Sequence, residues 1–150
     1  MLDPFLAIAE TLDLSRTELA AVERYRTDPT SRAFLPMADV LRTHQKRDES
    51  IELLIRGVTE HPTFSVARVI LARELYTKGL LVEALNYLQQ SPVSLSDNAL
   101  AQKLLFRLFV LSNDYAHAEE IRRLLDNKAM VDDETRELSD CIALQGFEAG

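Results

Sequence analysis

The chain repeats itself every 34 residues, and this period limits the possible folds more than any other feature of the sequence. Alanines recur at this spacing at positions 33, 67 and 101. Two further positions carry large apolar residues with the same period: Met37, Leu71 and Leu105, and then Leu41, Leu75 and Phe109. A third position is always small (Ser50, Ala84 and Ala118), and a fourth is always large (Leu53, Tyr87 and Ile121). A period of roughly 20 to 50 residues is typical of solenoids, in which stacked units share one extended core.

Within each unit the apolar residues lie three and four positions apart, which is the spacing of one face of an α-helix. Helix starts are marked too, by Asp3 before Pro4 and by Ser15 with Glu18 three residues later. The sequence predicts nine helices, near residues 4–12, 16–27, 31–44, 47–60, 65–77, 81–90, 98–112, 115–126 and 133–146. Because their connections are short, sequential helices are expected to be antiparallel neighbours.

Composition supports an all-α fold. The chain has only 4 glycines and 5 prolines among its 150 residues, about half of the usual share, which leaves few turn residues for a fold of many strands. We therefore expect antiparallel helix pairs stacked into a solenoid.

The repeat resembles that of the tetratricopeptide repeat (TPR) family, whose signature is W-x2-L-G-x2-Y, then A-x3-F, then P. The first unit matches it at Phe34, Met37, Ala38, Leu41, Ser50, Leu54 and Pro62. The second unit matches at Leu71, Ala72, Leu75, Ala84 and Leu88, with Arg68 in place of the aromatic residue. The third matches at Leu105, Phe109 and Ala118, with Phe106 at the small position and Arg122 at the second aromatic position. The resemblance implies a right-handed superhelical solenoid; a solenoid of another helix-pair family is the alternative.

The expected organisation is a single domain in three parts. Residues 1–30 form N-terminal helices that act as a cap or an eroded repeat. Residues 31–130 hold the three TPR-like repeats, in units 31–64, 65–98 and 99–132. Residues 133–150 form a capping helix and a tail, because solenoid ends expose an apolar face that needs cover.

Charge and motifs exclude several classes of function. The net charge of −7 argues against binding of nucleic acid, and the chain has no apolar run long enough for direct membrane insertion. The single cysteine, Cys141, excludes a disulfide framework within the chain, and we expect a cytoplasmic protein. The spacing of His44, His61 and His117 is not that of metal ligands, and a helix N-terminus, which favours negative charge, explains the acidic cluster 132–134 more simply than a metal or acid site does. We therefore predict no enzymatic activity, no metal and no cofactor.

The resemblance implies that the first helix of each pair lines a concave groove for a partner. The residues carried over to that groove are Arg32, Leu35, Asp39, Arg42, Val69, Arg73, Tyr76, Lys103, Arg107 and Val110. Five of them are basic and one is acidic, which suits an acidic or amphipathic peptide. The alternative is that these are solvated helix faces with i,i+4 pairs, such as Asp39 with Thr43 or Arg73 with Thr77.

The sequence thus predicts a non-enzymatic adaptor that binds a protein or peptide segment within a larger assembly. One alternative is a small bacterial secretion-type TPR chaperone, of a group that is often dimeric through its N-terminal helices. In this chain the N-terminal apolar set would either form a dimer face or pack on the first repeat: Phe5, Leu6, Ala9 and Leu12. Another is a regulatory subunit that docks a small GTPase or a motility or pilus machine.

Overall fold

The computed structural model describes residues 3–128, with side chains up to residue 123. This part of the chain is all-helical, which confirms the all-α class predicted from the sequence. Its eight helices are α1 (Pro4–Ala9), α2 (Arg16–Thr27), α3 (Phe34–Thr43), α4 (Arg47–Glu60), α5 (Ser65–Lys78), α6 (Leu81–Gln89), α7 (Ala99–Leu111) and α8 (Tyr115–Lys128). The predicted ninth helix, at residues 133–146, lies outside the described residues, as do Cys141 and the acidic cluster 132–134.

Helix α2 begins where the sequence predicts because a capping box fixes its first turn. The Ser15 hydroxyl oxygen accepts the backbone N–H of Glu18 at 3.2 Å, and the Glu18 carboxylate accepts the backbone N–H of Ser15 at 3.0 Å. These two reciprocal bonds satisfy donors that a helix start leaves open.

Helices α1 and α3 are shorter than predicted. Helix α1 ends at Ala9 rather than at residue 12, because the next residues form tighter turns, with the Leu12 N–H bonded to the Ala9 carbonyl at 3.1 Å. Helix α3 begins at Phe34 rather than at residue 31. The Ser31 hydroxyl donates to the Asp28 carbonyl at 2.7 Å and accepts the Ala33 N–H at 3.1 Å, which holds this segment as a turn.

The chain divides into two compact units, one through Leu71 and one from Ala72, with the boundary inside α5. In the N-terminal unit, α1 packs on α2, α2 on α3 and α3 on α4. In the C-terminal unit, α6 packs on α7 and α7 on α8. Packing between sequential helices agrees with the short connections read from the sequence.

The 34-residue period reappears in the backbone of three turns. Gln45, Gly79 and Asn113, each 34 residues apart, have positive φ angles of 68°, 90° and 61°. The residue after each donates its N–H to a carbonyl five positions back, at 2.8, 2.9 and 2.8 Å: Lys46 to Leu41, Leu80 to Leu75 and Asp114 to Phe109. This left-handed residue followed by a long bond is the Schellman ending of a helix. Three helix pairs are therefore closed by the same turn.

Close approach of backbones shapes the core of the N-terminal unit. The Ser50 hydroxyl of α4 donates to the Ala38 carbonyl of α3 at 2.7 Å, and both residues are buried. A β-carbon at Gly57 would overlap the ring of Phe34, so only glycine fits at this point of α4. Small side chains thus bring α3 and α4 together.

A larger side chain fills the corresponding seam of the C-terminal unit. Phe106 is fully buried in a cluster with Phe109, Ala118 and Ile121. The buried amide of Gln102 donates to the Leu95 carbonyl at 2.9 Å, which ties the loop before α7 to that helix. Helix α7 is therefore held from its inner side by both apolar packing and a hydrogen bond.

Candidate functional site

Helix α3 presents three of the predicted groove residues, Leu35, Asp39 and Arg42, on one face at i, i+4 and i+7. The Arg42 guanidinium donates to the Asp39 carboxylate at 2.6 Å. The Thr43 hydroxyl donates to the backbone carbonyl of Asp39 at 2.9 Å, which is an i,i+4 pair of the kind that the alternative of a solvated helix face predicts. The charges on this face are paired with each other.

Arg32 was predicted to lie on the first helix of the repeat, and this placement is wrong. It precedes α3, because Ser31 holds the segment as a turn. The Arg32 guanidinium carbon lies 4.4 Å from the centre of the Phe64 ring, which makes a cation–π contact.

Helix α5 carries Val69, Arg73 and Tyr76. Val69 is only 2% exposed, which leaves its side chain no area for a partner. The Arg73 guanidinium lies 3.6 Å from the Glu74 carboxylate. The Thr77 hydroxyl donates to the backbone carbonyl of Arg73 at 2.9 Å, which is the second i,i+4 pair that the same alternative names.

Among the helices with predicted groove residues, α7 combines basic and exposed apolar side chains on one face. Lys103, Arg107 and Val110 lie on one face and are partly exposed, and Val110 packs its inner side on the Phe106 cluster. The same face carries Leu100, 43% exposed, and Leu111, 49% exposed. The thirteen residues of α7 include no aspartate or glutamate. We call these five residues the α7 face: two exposed leucines with two basic side chains between them.

One polar cluster was missed by the sequence analysis. The Asp3 carboxylate accepts the Phe5 N–H at 2.9 Å and the Tyr25 hydroxyl at 2.6 Å. Arg56 donates to the Tyr25 hydroxyl oxygen and stacks over the Phe5 ring at 5.1 Å. Burial, and then the hydrogen bond to Asp3, raises the pKa of Tyr25 to about 12. The cluster joins α1, α2 and α4, and the only local signal for it was Asp3 at the helix start.

The histidines lie at helix ends and make packing contacts. The His44 Nε2 atom is 2.7 Å from the Glu18 carboxylate, and the pKa of Glu18 is lowered, first by the Ser15 N–H and less by His44. His61 directly follows α4, stacks on the Phe34 ring with centres 5.8 Å apart, and bonds the Thr30 carbonyl at 2.7 Å.

His117 stacks on the Phe109 ring at 5.1 Å, and its Nδ1 atom lies 2.8 Å from the Asp114 carboxylate. These contacts give the histidines roles in holding helix ends. Among the residues that the structure describes, no group of three His, Cys, Asp or Glu side chains is placed to hold a metal ion.

The N-terminal apolar set is largely covered within a single chain. Phe5, Leu6 and Ala9 are buried, and Leu12 is partly exposed. Packing inside the N-terminal unit therefore accounts for these residues, and it leaves little of them for a dimer face.

No protein-family model matches the chain, and no curated protein sequence matches it. Across the described residues, no helix has both the length and the apolar character needed to cross a membrane.

Proposed function

We propose that this chain is a non-enzymatic, TPR-like adaptor that binds a segment of another protein on the α7 face. Two features support a repeat of this kind: the 34-residue period of small and large residues, and the three Schellman turns with the same period. The continuous groove implied by the TPR resemblance remains a prediction, and the α7 face is the part of it on which the proposal rests.

The observation that carries the proposal is the chemistry of the α7 face. Leu100 and Leu111 expose nearly half of their surface on one side of one helix, and Lys103 and Arg107 lie between them. Exposed leucines in one stripe favour a partner that covers them, whereas single scattered ones need no explanation. Basic side chains between them select a partner segment that is acidic as well as apolar.

The α7 face is held in place before any partner arrives. Phe106 and Phe109 anchor the inner side of α7, and Gln102 fixes the loop before it. A preorganised surface loses little conformational entropy on binding, so more of the interaction energy appears as affinity. A binding module built on a rigid helix fits this arrangement better than a site that has to fold around its ligand.

The test is a selection for peptide ligands followed by charge reversal. A phage-displayed library of random peptides is selected on the full chain, and the affinities of enriched peptides are measured by fluorescence polarisation. The double variant Lys103→Glu/Arg107→Glu should bind them about tenfold more weakly or worse, because two attractive contacts become repulsive. Raising the salt concentration should also weaken binding to the unaltered chain.

A matched control separates the local effect from the change in total charge. Arg16→Glu/Arg47→Glu makes the same change in net charge at two exposed residues of the N-terminal unit, each at the start of a helix. This control should keep full affinity, and circular dichroism should show unchanged helicity in both variants. The proposal fails if no peptide is enriched, or if the enriched peptides bind both double variants equally well.

A further inference from the structure

The geometry of the α7 face points to the form of the bound segment, an inference that rests on the proposed function. We propose that the partner binds as an amphipathic α-helix laid along α7. Its apolar residues eleven positions apart would cover Leu100 and Leu111, and acidic residues between them would face Lys103 and Arg107.

The spacing of the exposed residues is the first argument. Leu100, Lys103, Arg107 and Leu111 are separated by three, four and four positions, so they form one row along three turns of α7. The helical rise of about 1.5 Å per residue places the two leucines about 16 Å apart along the axis. A second helix has the same rise, and it can therefore meet all four residues in register.

An extended segment fits this surface less well. At about 3.3 Å per residue it would cross the row in five residues, and alternate side chains would point away from α7. The backbone groups of α7 are bonded within the helix, so they offer an extended chain no ladder of hydrogen bonds. A helical partner satisfies its own backbone and needs only side-chain contacts.

Charge identifies the partner as another protein rather than a second copy of this chain. Two copies of the α7 face related by a twofold axis would bring Lys103 and Arg107 of one chain against the same residues of the other. Like charges at such close range oppose association, whereas carboxylates one turn apart on a partner helix attract both basic side chains.

The experiment uses designed peptides on the full chain. The first peptide is alanine- and glutamine-rich, with a leucine, glutamates three and seven positions later, and a second leucine eleven positions after the first. A register control has the same composition with both glutamates moved to the opposite side of the helix. A third peptide carries proline at a central position that faces away from α7, and a fourth carries the helix-promoting α-aminoisobutyric acid there.

We expect the first peptide to bind, the register control to bind about tenfold more weakly, and the proline peptide to lose binding to a similar extent because proline breaks the helix. The α-aminoisobutyric acid peptide should bind more tightly than the first. Equal affinities of the proline peptide and its parent would overturn the helical mode, as would no binding of the designed peptides.

The library selection distinguishes the two ways of failing. Peptides that are enriched, sensitive to Lys103→Glu/Arg107→Glu and without the helical spacing would leave the proposed function standing and remove this inference. Enriched peptides with the spacing and with induced helicity in circular dichroism would support both. If charge reversal has no effect on any peptide, the proposed function itself is wrong.

Discussion

The helix pairs α3–α4 and α7–α8 are closed by the same type of turn and align in sequence, but different residues pack between their helices. The first pair places the small Ala38 at the point where α3 approaches α4, and the pair α7–α8 has the fully buried Phe106 at the equivalent position, two periods later. Phe34 in the first pair is replaced by Gln102 in the other, and Gln102 secures the preceding loop.

Their surfaces differ as well. On α3 the charged residues of the predicted groove pair with each other, Asp39 with Arg42. On α7, Lys103 and Arg107 lie between Leu100 and Leu111, which are 43% and 49% exposed. The two helix pairs thus share the turn that joins their helices, while substitutions at equivalent positions change both the packing and the surface.

The largest expected effect comes from Phe106 of α7, which stands where α3 has the small Ala38. Phe106→Ala should lower the free energy of unfolding by about 4 kcal/mol, because it removes buried apolar surface and leaves a cavity. Urea unfolding followed by circular dichroism measures this. Leu111→Ala, on the exposed side of the same helix, is the control and should cost less than about 0.5 kcal/mol. Similar losses for both variants would show that the cluster does not hold α7.

The second largest expected effect is a loss of stability at alkaline pH, which should begin in the N-terminal unit. The pKa of Tyr25 is about 12 in the folded chain, compared with 10.0 for an ordinary tyrosine. Below pH 10 the hydroxyl is protonated in both states, so its contribution is intact. Between pH 10 and pH 12 the unfolded chain loses this proton more readily, and the folded state should lose about 3 kcal/mol of stability.

Tyr25→Phe checks this sign, since it removes the ionisable group. The variant is expected to be less stable at neutral pH, through the lost bonds to Asp3 and Arg56, but its stability should fall less steeply between pH 10 and pH 12. Amide hydrogen exchange locates the opening, and α2 should lose protection before α7 does. The same slope in both proteins would contradict the role given to the Tyr25 hydroxyl.

The smallest expected effect is a change in stability when a residue with positive φ is replaced in one of the three turns. Gln45→Gly should raise the free energy of unfolding by about 1 kcal/mol, because a left-handed backbone is costly for any residue with a β-carbon. Gly79→Ala should lower it by about the same amount, and since a β-carbon there would meet no atom within 4 Å, backbone strain is the only cost. Thermal unfolding measures both. Changes of the same sign would contradict the equivalence of the turns.

Much of the fold was readable from local sequence. Helix α2 has the predicted bounds because the capping box of Ser15 and Glu18 acts within a few residues. Helix α4 has no side-chain cap at its start, and its predicted bounds rest on the spacing of its apolar residues. Helix α3 was predicted to begin too early, because the pattern cannot show that the Ser31 hydroxyl bonds the Asp28 carbonyl and competes with the helix. The left-handed Gln45 was hidden for a similar reason, since glutamine is not a residue that marks such turns.

The candidate site was less predictable, because exposure depends on packing between distant residues. The spacing placed Val69 and Lys103 at equivalent positions, yet Val69 is buried while Lys103 is partly exposed. The Asp3–Tyr25 bond joins residues 22 positions apart and follows no periodic pattern. Helical spacing alone placed Leu35, Asp39 and Arg42 on one face of α3, and Lys103, Arg107 and Val110 on one face of α7.

The three Schellman turns also bear on how quickly the chain folds. Each turn closes over a bond between residues only five positions apart, so the entropy lost in forming it is small. Contacts so close in sequence give a low contact order, and proteins of that kind fold in roughly microseconds to milliseconds. We therefore expect each helix hairpin to form early in folding.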